Sequence, residues 1–142
     1  MAGKTLPEIY CAKMKMDRLI IYLASTGKGA FRVGLGLDRS IHPVDFFRHL
    51  LPALRLTEND RYNRPLAEAV EGSLKNTPEQ RKPLSMDIAV TPFQWTVLQA
   101  IATIPFGQTR TYGAVASMVA RSGGARAVGQ VMGRNPLPLI FP

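Results

Sequence analysis

Along this chain the hydrophobic period changes once, at Thr91, and that change limits the folds open to it. Up to Val90 short alternating runs are mixed with helical stripes. From Thr91 onward the apolar stripes have helical spacing only. Residues 8–12 and 18–24 are rich in β-formers and predict two short strands. Residues 25–29 predict a turn, with two glycines free to take positive φ. Phe31, Val33, Leu35 and Leu37 then alternate with Arg32, Gly34, Gly36 and Asp38, the mark of a half-buried strand. Its two glycines weaken the strand and allow another element to approach closely. Val44, Phe47, Leu50, Leu51 and Leu54 have helical spacing, ended by Pro52. Pro65 opens a second helix carrying Leu66, Val70 and Leu74. Residues 75–82 are polar and linker-like, and Leu84, Met86, Ile88 and Val90 predict one more strand. No constellation of catalytic side chains stands out in this half, which reads as a scaffold. Gly34-Leu-Gly36 is not a nucleotide fingerprint, because neither the third glycine nor the following helix is there.

In the second segment Thr91-Pro92 is an N-cap and first-turn pair. Phe93, Val97, Leu98 and Ile101 form an apolar stripe with Trp95 on its flank, and residues 105–108 break that helix. Thr111 caps a second helix, Tyr112 to about Ala120, with Val115, Met118 and Val119 expected inward. Residues 122–124 form a glycine turn, and a third helix runs from Ala125 to about Arg134, closed by Asn135-Pro136. Helix, glycine turn and helix, with an arginine near the start of the second, is a helix-turn-helix arrangement.

The charge supports that reading. Net charge is +8 and the pI about 10.2, a balance that favours polyanionic partners through attraction and counterion release. In residues 86–142 the charges are Arg110, Arg121, Arg126 and Arg134 against Asp87 alone, and arginine suits phosphate forks and base stacking. Cys11 is the single cysteine, so no internal disulfide forms and a reducing compartment is expected. In a strand-like context that cysteine reads as a small buried hydrophobe. With His42 and His49 as the only histidines, the ligand count for a structural zinc is poor. No signal peptide is expected before the first strand, and no apolar stretch approaches the ~18–20 residues of a membrane span. A cytoplasmic protein without membrane association is expected.

Three positions are candidates on local grounds. Arg126 lies in the first turn of the third helix among the small residues Gly124, Ala125, Ala127 and Gly129, which let a helix come close to a DNA groove. It is either an ordinary solvated arginine or a contact to the duplex. Tyr112, at a helix N-terminus, either reaches a phosphate or packs under the turn. Asn135 is either a helix stop or an amide that holds neighbouring backbone. The tail 137–142 leaves Leu139, Ile140 and Phe141 without evident partners, so the natural product is expected to continue past Pro142.

Four stretches carry a resemblance: residues 91–94 (Thr-Pro-Phe-Gln), 104–113 (Ile-Pro-Phe-Gly-Gln-Thr-Arg-Thr-Tyr-Gly), 125–129 (Ala-Arg-Ala-Val-Gly) and 135–142 (Asn-Pro-Leu-Pro-Leu-Ile-Phe-Pro). In order and spacing the chain resembles the O6-alkylguanine-DNA alkyltransferases. The resemblance implies an α/β ribonuclease-like scaffold domain over residues 1–85. After it comes a mainly helical, winged helix-turn-helix-like DNA-binding and alkyltransferase domain over 86–142, incomplete at its C-terminus. It further implies cofactor-free, single-turnover repair by a monomer acting on double-stranded DNA that contains alkylated guanine. Arg126 would enter the duplex in place of the flipped base, and Tyr112 would press on the flanking phosphate. Gly124, Ala125 and Gly129 would face the groove, Met132 would border the pocket, and Asn135 would brace the active-site turn. The family's reactive cysteine follows the final proline, so no catalytic residue is expected within the 142 residues and the chain by itself is expected to transfer nothing. An in-frame selenocysteine codon at the next position is one expectation. A nonsense mutation or a trimmed chain would also account for the end. The alternatives to repair are a non-catalytic lesion-binding relative and a helix-turn-helix regulator with a ligand-sensing first half.

Overall fold

The computed structural model describes residues 6–37, 39–75, 83–105, 107–120 and 124–141. The chain divides into two compact units, Met1–Ile88 and Ala89–Pro142.

In the first unit, β1 (Glu8–Met16), β2 (Leu19–Thr26) and β3 (Gly29–Leu37) form an antiparallel meander, and β4 (Arg55–Glu58) joins β1 in parallel, giving the order β3-β2-β1-β4. The register sets Cys11 opposite Ala24 and Lys13 opposite Tyr22. Ile9, Cys11, Ile20, Tyr22 and Ala24 thereby share one face, covered by Phe46 and Phe47 of α1 (Pro43–Leu50). Gly34 is what lets α1 settle there. A β-carbon on it would stand 2.2 Å from the Phe46 ring, which stacks on Tyr22 at 3.9 Å. Helix α2 (Arg64–Lys75) packs against β2 and buries Leu66 and Val70.

Three expectations for this unit need correction. Leu35 and Leu37 do not complete a buried stripe but are 44% and 70% exposed, although Val33 of the same alternation is buried. Leu50 is also exposed: α1 stops there, and Leu51 and Leu54 pack on the core from outside the helix. Residues 84–90 keep their alternating apolar pattern yet make only one bridge, Met86 to Ala30. Gly29, at φ +147°, permits that bridge, since a β-carbon would stand 2.4 Å from the Ser85 carbonyl oxygen. One residue past the bridge, Asp87 accepts a hydrogen bond from the Thr26 hydroxyl at 2.6 Å, and no further rung forms. Residues 76–82 of the expected linker lie outside the described residues.

The second unit contains α3 (Pro92–Ala102), α4 (Tyr112–Met118) and α5 (Ala125–Gly133), each packed on the other two. Thr91 and Gln94 form a reciprocal capping box at the start of α3, with Gln94 N–H to Thr91 Oγ1 at 3.1 Å and Thr91 N–H to Gln94 Oε1 at 2.9 Å. Thr111 caps α4 through the Ala114 N–H at 3.0 Å. The core comprises Val97, Leu98, Ile101, Val115, Ala116, Val128, Val131, Leu137 and Phe141. Within α4 the inward residues are Val115 and Ala116, whereas Met118 is 48% exposed. Two residues beyond Ala116 is about 200° around a helix, so Met118 points away once Ala116 points in. Phe106 and residues 121–123, which include most of the expected glycine turn, lie outside the described residues.

Candidate nucleic-acid interface

Helix α5 is two-sided. Val128 and Val131 are buried, and Met132, four residues after Val128, is half-buried on that same side. Arg126, Gln130 and Gly133 are exposed. Gly124 is the N-cap and Ala125 the first helical residue, both half-buried, and Gly124 offers the first turn no side-chain hydrogen bond. Arg126 therefore projects from the first turn of a helix whose start is formed by small residues.

Tyr112, the first residue of α4, is 53% exposed, and its ring lies against Gly129. Gly129 and Arg126 are three residues apart on α5 and so share a face. One exposed face of the unit thus carries the phenol and the guanidinium together. Arg110, just before the Thr111 cap, holds its guanidinium against neutral acceptors of its own loop, the Thr109 carbonyl and Gln108 Oε1, both at 2.8 Å. The unit's arginines number four, and the sequence from Ala89 to Pro142 has no acidic side chain to neutralise them. That uniform positive sign draws a polyanion.

Asn135 follows α5 and folds the tail back. Its Oδ1 accepts the Leu137 N–H at 3.0 Å, and its Nδ2 donates to the Phe141 carbonyl at 2.5 Å. Inside this turn the N–H groups of Ile140 and Phe141 donate to the Leu137 carbonyl, while Leu139 adopts φ +77°. Leu137 and Phe141 are buried, and Phe141 meets Trp95 edge to face at 6.0 Å. The expectation of a partnerless tail is thereby corrected: Phe141 is a core residue, and Leu139 and Ile140 are half-buried. Spacing alone could not pair Trp95 with Phe141.

Of the residues singled out in the sequence, Tyr112, Arg126 and Gly129 share the exposed face, and Gly124 and Ala125 begin its helix. Met132 lies to the inner side and Asn135 at the turn. Sequence reasoning missed the loop-held Arg110, whose signal was the neighbouring Gln108 and Thr109. Cys11 is fully buried in β1, and burial pushes its thiol up to about 11, far from a reactive thiolate. Among the described residues no cluster of three or more His, Cys, Asp or Glu side chains is placed to hold a metal, and no helix is long and apolar enough to cross a membrane.

Residues 92–142 match the DNA-binding domain of 6-O-methylguanine DNA methyltransferase. Over 140 residues the chain is 30% identical to the inducible methylated-DNA–protein-cysteine methyltransferase of Bacillus subtilis, covering 96% of this chain and 75% of that protein. A shorter match of 59 residues is 48% identical to the Mycobacterium leprae methylated-DNA–protein-cysteine methyltransferase and covers 42% of this chain and 36% of that protein. Among solved structures, the Mycobacterium tuberculosis O6-methylguanine methyltransferase superposes with a TM-score of 0.70 at 24% identity, covering 94% of this chain and 75% of that one. The Pyrococcus kodakaraensis O6-methylguanine-DNA methyltransferase gives 0.58 at 20% identity, over 94% and 82% of the two chains. These two likenesses establish the fold.

Proposed function

The chain belongs to the methylated-DNA–protein-cysteine methyltransferase family, and from that premise we propose that it takes part in direct repair of O6-alkylguanine in double-stranded DNA. The observation that carries the proposal is the shared exposure of Tyr112 and Arg126 on one face of a unit with four arginines and no acid. The M. tuberculosis relative has also been solved in complex with DNA, at a TM-score of 0.67 to this chain.

The alkylated base is out of reach inside the stack, and its impaired pairing lowers the cost of extrusion to a few kcal/mol. Arg126 enters the duplex and fills the gap, its planar cation stacking between the neighbouring bases. Tyr112 presses on the flanking phosphate, and Gly124, Ala125 and Gly129 keep the groove-facing surface low. Asn135 braces the turn that leads to the acceptor, and Met132 borders the pocket.

Alkyl transfer needs a nucleophile, and Cys11 does not serve, being buried and protonated. We assign the acceptor to a cysteine or selenocysteine that follows Pro142, activated by a histidine. Its anion attacks the alkyl carbon, the new bond forms as the O6–carbon bond breaks, and the departing guanine takes up a proton. No cofactor enters this step. The protein acts as a monomer, as the family resemblance implies.

Competition binding tests the reading. A duplex containing O6-methylguanine should displace an undamaged duplex of the same sequence from the protein. Equal affinity for the two would contradict it. A gene whose frame continues with a residue other than cysteine or selenocysteine at position 143 would instead favour a non-catalytic lesion-binding protein.

A further inference from the structure

We infer that Gly129 is a positioning residue for Tyr112: it is the seat on α5 against which the phenol ring is held, which fixes the ring beside Arg126. This inference rests on the DNA-repair reading above and assigns Gly129 a role other than lining the groove.

A β-carbon on Gly129 would stand 3.2 Å from both Cδ2 and Cε2 of Tyr112. That is closer than ordinary van der Waals contact, and the two atoms belong to a rigid ring attached to the first residue of α4. Gly129 occupies the second turn of α5, where glycine is a poorer helix former than alanine and nothing in the backbone demands a positive φ. The other described glycine of α5, Gly133, would meet nothing within 4 Å. Contact with Tyr112 is therefore a specific reason for glycine at 129. Arg126 lies three residues earlier, about 4.5 Å along the helix axis. A ring seated at 129 is thus held within one helical turn of the position from which Arg126 projects. Lifted by a β-carbon, the ring must shift by a few tenths of an ångström or turn about χ1, and its hydroxyl moves with it. In sites that depend on positioning, such small displacements cost disproportionately.

The test is a double-mutant cycle on the whole chain, read with a duplex carrying O6-methylguanine beside 2-aminopurine, whose fluorescence rises when the stack opens. Gly129→Ala should lower the fluorescence gain several-fold even at saturating duplex. Against Tyr112→Ala, the same change should cost nothing more, which amounts to a coupling of about 3- to 30-fold. Thermal unfolding gives an independent readout. Gly129→Ala should stabilise the Tyr112→Ala protein, as alanine does in a free helix, and should not stabilise the protein that keeps the ring. This comparison also covers a poorly folded Gly129→Ala single variant, which the second substitution should rescue. Equal losses from Gly129→Ala with and without Tyr112 would overturn the inference and return Gly129 to the groove surface. So would a Gly129→Ala protein that opens the stack normally. Failure of the repair reading looks different: the unmodified protein then gives no fluorescence rise at all, and the inference falls with it.

Discussion

Asn135 Nδ2 donates to the carbonyl oxygen of Phe141 at 2.5 Å while its Oδ1 takes the N–H of Leu137 at 3.0 Å, so one amide closes both ends of the turn 136–141. The turn is not cheap to hold. Leu139 adopts a left-handed φ of +77°, and a non-glycine residue persists there only when its surroundings over-determine it. The buried side chains of Leu137 and Phe141 supply the rest of that constraint.

Replacing Asn135 should therefore release the turn. Asn135→Asp keeps an acceptor for Leu137 but turns an oxygen toward the Phe141 carbonyl. Both this variant and Asn135→Ala should lose about 1–3 kcal/mol. Urea unfolding measures the loss, and amide exchange at Leu137, Ile140 and Phe141 should accelerate. An unchanged midpoint with protected amides would show that the turn stands without Asn135.

Phe141 should behave as a core residue. Phe141→Ala is expected to cost about 3–5 kcal/mol. Its edge-to-face partner Trp95 should show a coupling of about 0.5–1.5 kcal/mol in a double-mutant cycle. Additive losses would mean that the two rings do not interact.

How much of this was legible in the sequence follows from the range of the interactions. Thr91 and Thr111 announced their caps because the donor and acceptor lie within three residues. The projection of Arg126 was readable from its place among small residues in the first turn of α5, whereas the burial of Val128 and Val131 came from the structure. Gly34 was readable as a point of close approach, but Phe46 as its visitor was not, because that contact depends on where α1 crosses the sheet. The burial of Phe141 depends on a Trp95 far earlier in the chain, and an apolar tail reads the same whether covered or bare. Leu35 and Leu37 kept a strand's alternation without a cover, since alternation marks what can be buried and not what is.

Ala120, after the end of α4, has φ +56°, a conformation that suits glycine. Ala120→Gly should therefore stabilise the protein by about 1 kcal/mol. Thermal denaturation checks it, and a lower melting temperature would contradict it.

Cys11 should make stability fall at high pH. Burial raises its thiol from an ordinary 9.0 to about 11, so the fold prefers the neutral form. That contribution is fully present below pH 9.0 and is lost as pH climbs through about 11. Melting temperature measured across this window should fall less in Cys11→Ala than in the unmodified protein. Parallel curves would remove Cys11 as the cause. The native thiol should also resist alkylation at neutral pH.

The most direct measurement is base extrusion with Arg126 removed. In a duplex with 2-aminopurine beside O6-methylguanine, the unmodified protein should raise the fluorescence on binding. Arg126→Ala should remain folded and bind with roughly tenfold weaker affinity, a loss of about 1.4 kcal/mol, yet raise the fluorescence little even at saturation. A saturated Arg126→Ala complex as bright as that of the unmodified protein would show that this arginine does not open the stack.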